Sequence, residues 1–238
     1  MKTIKIGKKY IRGILILICT IIANYGIFTA PKSDKQTLEQ ELMQNQQILQ
    51  QTNAVAQAKT KPITEPPTDA KQKKNSESTQ KTISVIGDSI FLGAAPSFQK
   101  IQKNAIIDAK ISRQVYQGID VAKKMKKKGK LGDIVIISLG TNGTFNPATG
   151  EKLISCIGKK RSIYWVNAYG KNMEWQKEVN TSIQKLAEKH SNVHVISWAK
   201  EAKKHPDWFY QDGTHLNTKG QKGFSRFIKN QLLTQHLP

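Results

Sequence analysis

Residues 82–95 read Thr-Ile-Ser-Val-Ile-Gly-Asp-Ser-Ile-Phe-Leu-Gly-Ala-Ala, and their pattern decides the fold. A short β-branched run, apolar enough for a strand buried on both faces, ends at Gly87-Asp88-Ser89-Ile90, and Leu92, Gly93, Ala94 and Ala95 then open a helix. Ser89 therefore falls at a strand-to-helix turn near a helix N-terminus, where a hydroxyl can be presented to a substrate. The same alternation continues downstream. Residues 105–111, 133–139, 162–167 and 193–197 read as further strands, and helices are predicted near 92–103, 115–129, 147–158, 173–190 and 218–235. In the fourth of these helices Trp175, Val179, Ile183 and Leu186 fall on one face. Regular βα alternation predicts an α/β protein, a three-layer α/β/α sandwich around a five-stranded parallel sheet.

In such sheets ligands bind beyond the carboxyl ends of the strands, and three strand ends or nearby loops carry polar motifs. The first is Asp88-Ser89, which can equally be an ordinary helix cap. The second follows the third strand as Leu139-Gly140-Thr141-Asn142-Gly143. Its Asn142 amide can donate to a developing oxyanion, although Asn-Gly is also a common turn. The third is Asp212-Gly213-Thr214-His215. A carboxylate three residues before an imidazole can hold the Nδ1 proton and leave Nε2 for a serine, or the pair can cap the helix beginning near Thr218.

Taken in this order, GDSI, GTN and DGTH resemble the SGNH (GDSL-type) hydrolase superfamily over residues 82 to about 235. The segments IDAKISRQ (107–114), LGDIVIISLGTNG (131–143), IYWVN (163–167), WQKEVN (175–180) and HPDWFYQDGTHLN (205–217) resemble the extracellular domain of OatA-type peptidoglycan O-acetyltransferases. The resemblance implies a flavodoxin-like sheet and a Ser-His-Asp triad. Ser89 is then the nucleophile, His215 the base and later acid, and Asp212 the carboxylate that orients it. The Asn142 side chain and the Ser89 backbone N–H are implied as oxyanion donors. The glycine that the superfamily places after its second strand is replaced in Ser112-Arg113-Gln114, so the Arg113 N–H is assigned the remaining donor role, with Gly118 as the rival. Of the aromatic residues before the Asp-His pair, Trp208 and Tyr210 are expected to wall a sugar and acetyl group, while at least one neighbour packs the core. No cofactor is expected. His190, His194 and His236 have no companions at metal-ligand spacing, so no metal is expected either.

Outside residues 82–238 the chain changes character. Residues 1–12 form a basic flank, and 13–30 are apolar enough for a single membrane span, with a cleaved signal as the competing reading. Residues 31–58 are Gln-rich, with Leu38, Leu42, Asn45, Leu49, Thr52 and Ala56 in a weak heptad stripe that suggests a helical stalk able to self-associate. Residues 59–81, rich in Pro, Thr, Lys, Ser and Gln, read as a disordered linker. The net charge is +21, of which +14 lies in residues 82–238. That excess should attract polyanions such as those of a bacterial wall. The run Lys123, Lys124, Lys126, Lys127, Lys128 and Lys130 has no interleaved aromatic residue and reads as a solvated helix end, so no nucleic-acid partner is expected. Cys19 and Cys156 lie too far apart in organisation to make a disulfide within the domain.

The expectation is a membrane-attached enzyme with its domain on the wall side. It would acetylate a muramic acid hydroxyl of peptidoglycan glycan strands through an acetyl-Ser89 intermediate. OatA-type proteins resemble a fusion of such a domain to a multi-pass acyltransferase, so that donor is expected here as a separate membrane partner. An SGNH acetylesterase acting on wall glycans and a non-catalytic cationic wall-binding module are the alternatives.

Overall fold

The computed structural model describes residues 33–58 and 81–234. The chain divides into two compact units, Met1–Thr37 and Leu38–Pro238. Of the first, the described part is 33–37, where the Ser33 carbonyl accepts from the Thr37 backbone N–H. All that follows concerns the second unit.

In chain order the elements are α1 (Asp34–Ala58), β1 (Ile83–Gly87), α2 (Ser89–Ile101), β2 (Ile106–Ala109), α3 (Val115–Lys127), β3 (Ile134–Ser138), α4 (Pro147–Ile157), β4 (Ser162–Val166), α5 (Gln176–Lys189), β5 (Val193–Ile196), α6 (Trp198–Ala202), a 3-10 turn (Pro206–Trp208) and α7 (Thr218–Thr234). The five strands form one parallel sheet in the order β2-β1-β3-β4-β5. Both the strand count and the parallel sense agree with the alternation read from the sequence.

Successive strand residues face opposite sides of a sheet, and this period divides the interior. Val85, Ile134, Ile136, Tyr164 and Val166 join α1, α2, α6 and α7 in one buried cluster. Ile86, Val135, Ile137, Ile163 and Trp165 join α3, α4 and α5 in the other. The inner strands β1, β3 and β4 are largely buried on both faces because each face has its own layer of helices, whereas the edge strands β2 and β5 are half-buried and carry Asp108 and His194. The crossover from β2 to β3 passes over β1, so β1 is an interior strand with β2 and β3 on either side. The Gly87-Asp88-Ser89 motif at the end of β1 is therefore flanked by the loops after β2 and β3.

Two elements differ from the sequence reading. α5 begins at Gln176, not near 173, because the preceding residues form a turn in which Gly170 O accepts from Met173 N–H and Gln176 Oε1 accepts from Gly170 N–H. Val179, Ile183 and Leu186 are buried as expected, but Trp175, left ahead of the helix, is exposed. The Gln-rich stripe forms a helix, and that helix lies on the domain. Leu42 and Leu49 are buried in the first cluster, Leu38 packs at its margin, and Thr52 is exposed. Asn45 is also buried, and its amide donates to the carbonyls of Leu92 and Gly93 at 3.3 Å, which explains how a polar residue sits in that stripe.

The lysine run occupies the exposed end of α3, as read. Among the described residues no helix is long and apolar enough to cross a membrane. The span read over 13–30, with Cys19, and the linker up to residue 80 lie outside the described residues.

Candidate active site

Asp88 and Ser89 mark the step from β1 into α2. The backbone N–H of Asp88 donates to Ser138 O at 3.0 Å, tying the end of β1 to β3, and Asp88 Oδ1 accepts from the Ile90 N–H at 3.0 Å as the cap of α2. The cap is thus Asp88, and Ser89 follows it as the first residue of α2. Ser89 is only 4 % exposed, and its Oγ lies 3.0 Å from His215 Nε2.

The Asp-His pair stands on the loop between the 3-10 turn and α7. Asp212 Oδ1 accepts from the backbone N–H groups of Thr214 and His215, each at 2.9 Å. Its Oδ2 lies 2.6 Å from His215 Nδ1. A carboxylate at Nδ1 keeps the proton there and leaves the Nε2 lone pair towards Ser89. Gly213 permits the turn, since its φ of +64° is a conformation that side chains disfavour. Tyr210 N–H donates to His215 O and Gly213 N–H to Tyr210 O, both at 2.9 Å, while Phe209 and Leu216 pair across the base of the loop.

The two aspartates are tuned in opposite senses. Burial pushes the Asp88 carboxyl up to about 6, against hydrogen bonds from Ile90 and Thr141 and the field of His215. Burial also works to raise Asp212, but hydrogen bonds from the His215 ring and from the backbone N–H groups of Thr214 and His215 outweigh it. They hold that carboxyl below the usual range. Asp212 is therefore an anion at neutral pH.

Asn142 follows the turn after β3, where Gly140 takes a φ of +130°. Its Nδ2 lies 3.5 Å from Asp88 Oδ2 and 3.4 Å from Arg113 O, and its carbonyl accepts from Gln114 Nε2. Both contacts of the amide are long, so it keeps donor capacity for another acceptor. The loop after β2 brings Arg113 beside Asn142, but the Arg113 side chain is buried elsewhere. Its guanidinium donates to the carbonyls of Gly87 and Asp108 and to Asp108 Oδ1, bracing the ends of β1 and β2. Ser112, one residue earlier, has a φ of +57° and is the sole non-glycine residue at positive φ among the described residues. The glycine-like backbone in this loop thus lies at Ser112. Gly118 lies inside α3, where a Cβ would come 2.7 Å from Leu139 Cδ1.

The residues expected to wall the substrate have partners within the fold. Trp208 lies across Gly220 and Gly223 of α7, where a Cβ at Gly223 would come 2.4 Å from its ring, and it stacks on His205 at 3.8 Å. Phe209 packs against Tyr169 and Trp198. The Tyr210 hydroxyl donates to Glu41 Oε2 at 2.9 Å. His190 lies 2.6 Å from Glu151, and His194 lies against the Tyr164 ring. Among the described residues no group of three or more His, Cys, Asp or Glu could hold a metal ion. Sequence reasoning missed Glu41 and Gln221, which no motif or spacing marks, and placed Asn45 only in the Gln-rich stripe, because their contacts run across the fold.

No protein-family model matches the chain. The chain is 36 % identical over 161 residues to the protein YrhL of Bacillus subtilis (strain 168), a match covering 68 % of this chain and 25 % of that protein. It is 34 % identical over 151 residues to the O-acetyltransferase OatA of Staphylococcus aureus (strain NCTC 8325), covering 63 % of this chain and 25 % of the relative. The chain thus spans about a quarter of the length of the curated relatives it matches. Among solved structures, the C-terminal catalytic domain of Streptococcus pneumoniae peptidoglycan O-acetyltransferase A superposes with a TM-score of 0.57 at 24 % identity, covering 64 % of this chain and 93 % of that one. The fold is shared with that domain, and the chain is similar in sequence to part of each of these relatives; it therefore carries an SGNH-type, OatA-like domain.

Proposed function

We propose that the domain is a serine O-acetyltransferase acting on wall peptidoglycan, with Ser89, His215 and Asp212 as its triad. The observation that carries this reading is the relay of 3.0 Å from Ser89 to His215 and 2.6 Å from His215 to Asp212. The names of the relatives supply the substrate class.

In the first step Ser89 Oγ attacks the acetyl carbonyl carbon and its proton passes to His215 Nε2, while Asp212 stabilises the imidazolium. The tetrahedral oxyanion is met by the Asn142 amide and by the backbone N–H groups of Ser89 and Arg113. It collapses to acetyl-Ser89, and the donor's leaving group departs with the proton from Nε2. A muramic acid hydroxyl then gives its proton to Nε2, attacks the acetyl carbon, and expels Ser89, which recovers the proton. Asp88, behind Asn142, steadies the amide through Oδ2. Tyr210, at the rim of the loop, and Trp208, behind it, form the wall assigned to the glycan.

Residues 13–30 are placed in the membrane and the domain on its outer side. A multi-pass acyltransferase serves as the partner that supplies acetyl. The basic surface contributes long-range attraction to anionic wall polymers.

A second reading, an acetylesterase, is favoured by solvent access. The side chains of His215 and Asp212 are 25 % and 42 % exposed, so water can reach the acyl-enzyme. The test is to incubate the full chain with an acetyl ester donor and short muropeptides and to analyse the products by mass spectrometry. Acetylated glycan is the expected product. Acetate alone would select the esterase, and turnover retained in Ser89→Ala would remove the triad altogether.

A further inference from the structure

Support for the loop carrying Asp212 and His215 comes from far away in the sequence. Glu41 on α1 is half-buried, and both its carboxylate oxygens are engaged. Oε2 accepts from the Tyr210 hydroxyl at 2.9 Å, and Oε1 accepts from Gln221 Nε2 at 2.6 Å. These two donors stand on opposite sides of the loop. Tyr210 is on the incoming strand, and its backbone N–H donates to the His215 carbonyl. Gln221 is on α7, and the same Nε2 that meets Glu41 also donates to the carbonyl of Leu216, the residue after His215, at 3.1 Å. One carboxylate therefore ties down both stems of the loop.

α1 is itself anchored on the other half of the site. Leu42 and Leu49 are buried in the core beside α2. Asn45 donates to the Leu92 and Gly93 carbonyls in the first turns of the helix that begins at Ser89. Gly93 lies beside both Leu42 and the Gln221 amide, which a Cβ there would meet at 3.7 and 3.9 Å, in ordinary contact. The nucleophile helix and the Asp-His loop thus share one external support.

We propose that Glu41 is a positioning residue for the Asp212–His215 pair, and that α1 belongs to the working unit of the domain. The inference rests on the acyl-transfer reading for its effect on rate. Asp212 is among the more exposed side chains of the site, so core packing contributes little to holding it. Hydrogen bonds to a carboxylate are the stronger ones, and two of them from both stems restrict the loop more than packing at its rim can. Small displacements of catalytic groups are expensive in rate, on the order of a hundredfold for about 1 Å.

The test uses the full chain and two variants. Glu41→Ala removes both acceptors and should lower kcat about tenfold with KM nearly unchanged, a loss on the scale of a fraction of an ångström in loop position. Glu41→Gln can still accept from Gln221 and can donate to the Tyr210 oxygen, so it should restore most of kcat. A readout independent of turnover is the downfield proton resonance shared by His215 Nδ1 and Asp212. It should be sharp in the parent chain and in Glu41→Gln, and broadened or lost in Glu41→Ala. Should Glu41→Ala fail to fold, Tyr210→Phe removes the same contact from the loop side and should broaden the resonance and lower kcat, whereas a sharp resonance and unchanged kcat in Tyr210→Phe would overturn the proposal. An unchanged resonance and unchanged kcat in Glu41→Ala would overturn the proposal, as would equal losses in the Ala and Gln variants. If the parent chain turns over no ester while the resonance responds as stated, the acyl-transfer reading falls and the positioning role of Glu41 stands.

Discussion

Ser89, Asp88 and Asn142 stand where strands of the sheet end, whereas Asp212 and His215 stand on a loop between a 3-10 turn and the last helix. The first group is held by main-chain bonds to β3, by the cap of α2 and by the burial of Asp88 and Ser89. The second is part-exposed and held by hydrogen bonds within its own turn and from Glu41 and Gln221. The difference separates two ways of fixing a reactive group. Burial at a strand end immobilises Ser89 through its backbone. An exposed loop instead needs side-chain bonds from other elements, and it leaves the His215 imidazole accessible to solvent.

Variants in the two halves should break down along that line. The largest effect is expected for Asp212→Asn, which removes the carboxylate from His215 Nδ1 while its amide oxygen still accepts from the Thr214 and His215 N–H groups. Ester turnover should fall on the order of 10³–10⁴-fold with little change in melting temperature. A large loss of thermal stability in this variant would mean that the loop is part of the structural core, contrary to the comparison. On the nucleophile side, Asn142→Ala should lower kcat about a hundredfold, the usual loss for one oxyanion donor, with KM preserved. If kcat is retained, Asn142 is only the Asn-Gly turn residue that its sequence also allows.

The smallest rate effect, about tenfold, is expected for Asp88→Asn, which keeps the cap acceptor for Ile90 but turns a donor towards the Asn142 amide. This variant also separates rate from stability. Because the folded Asp88 carboxyl is raised to about 6 from 3.8, the unfolded chain loses its proton first as pH rises. Stability should therefore fall between about pH 4 and pH 6, by at most roughly 3 kcal/mol, and level off above. Asp88→Asn should remove that fall, as urea midpoints measured from pH 4 to pH 7 would reveal. Asp212 has the opposite sign, since its lowered folded value makes a contribution that is present above pH 4 and is lost on further acidification.

Much of the nucleophile half was legible in the sequence. The run from Ile83 to Gly87 announces a buried strand, and a polar residue following such a strand is placed at the sheet's carboxyl edge by topology alone. The Asp212–His215 spacing was legible too, because three residues suffice to close the turn. In the loop after β2 the positive φ falls at Ser112, beside Arg113. A serine gives no advance sign of that conformation, and the neighbouring arginine is committed to bracing β1 and β2. The place of Trp208 against Gly220 and Gly223 of α7 was not legible either, because those residues meet it from a later element.

The Gln-rich stripe shows the limit most clearly. Its heptad spacing is compatible with pairing between copies, and local periodicity cannot say which surface a helical stripe will meet. The tertiary structure turns Leu42, Asn45 and Leu49 onto α2 and delivers Glu41 to Tyr210 and Gln221. By itself, the sequence determined the alternating elements, the parallel sheet and the three reactive motifs, because those depend on periodicity and short-range spacing. Only the tertiary structure decided which distant side chains hold the Asp-His loop and which aromatic residues are spent in the core, since such contacts depend on where the chain returns in space.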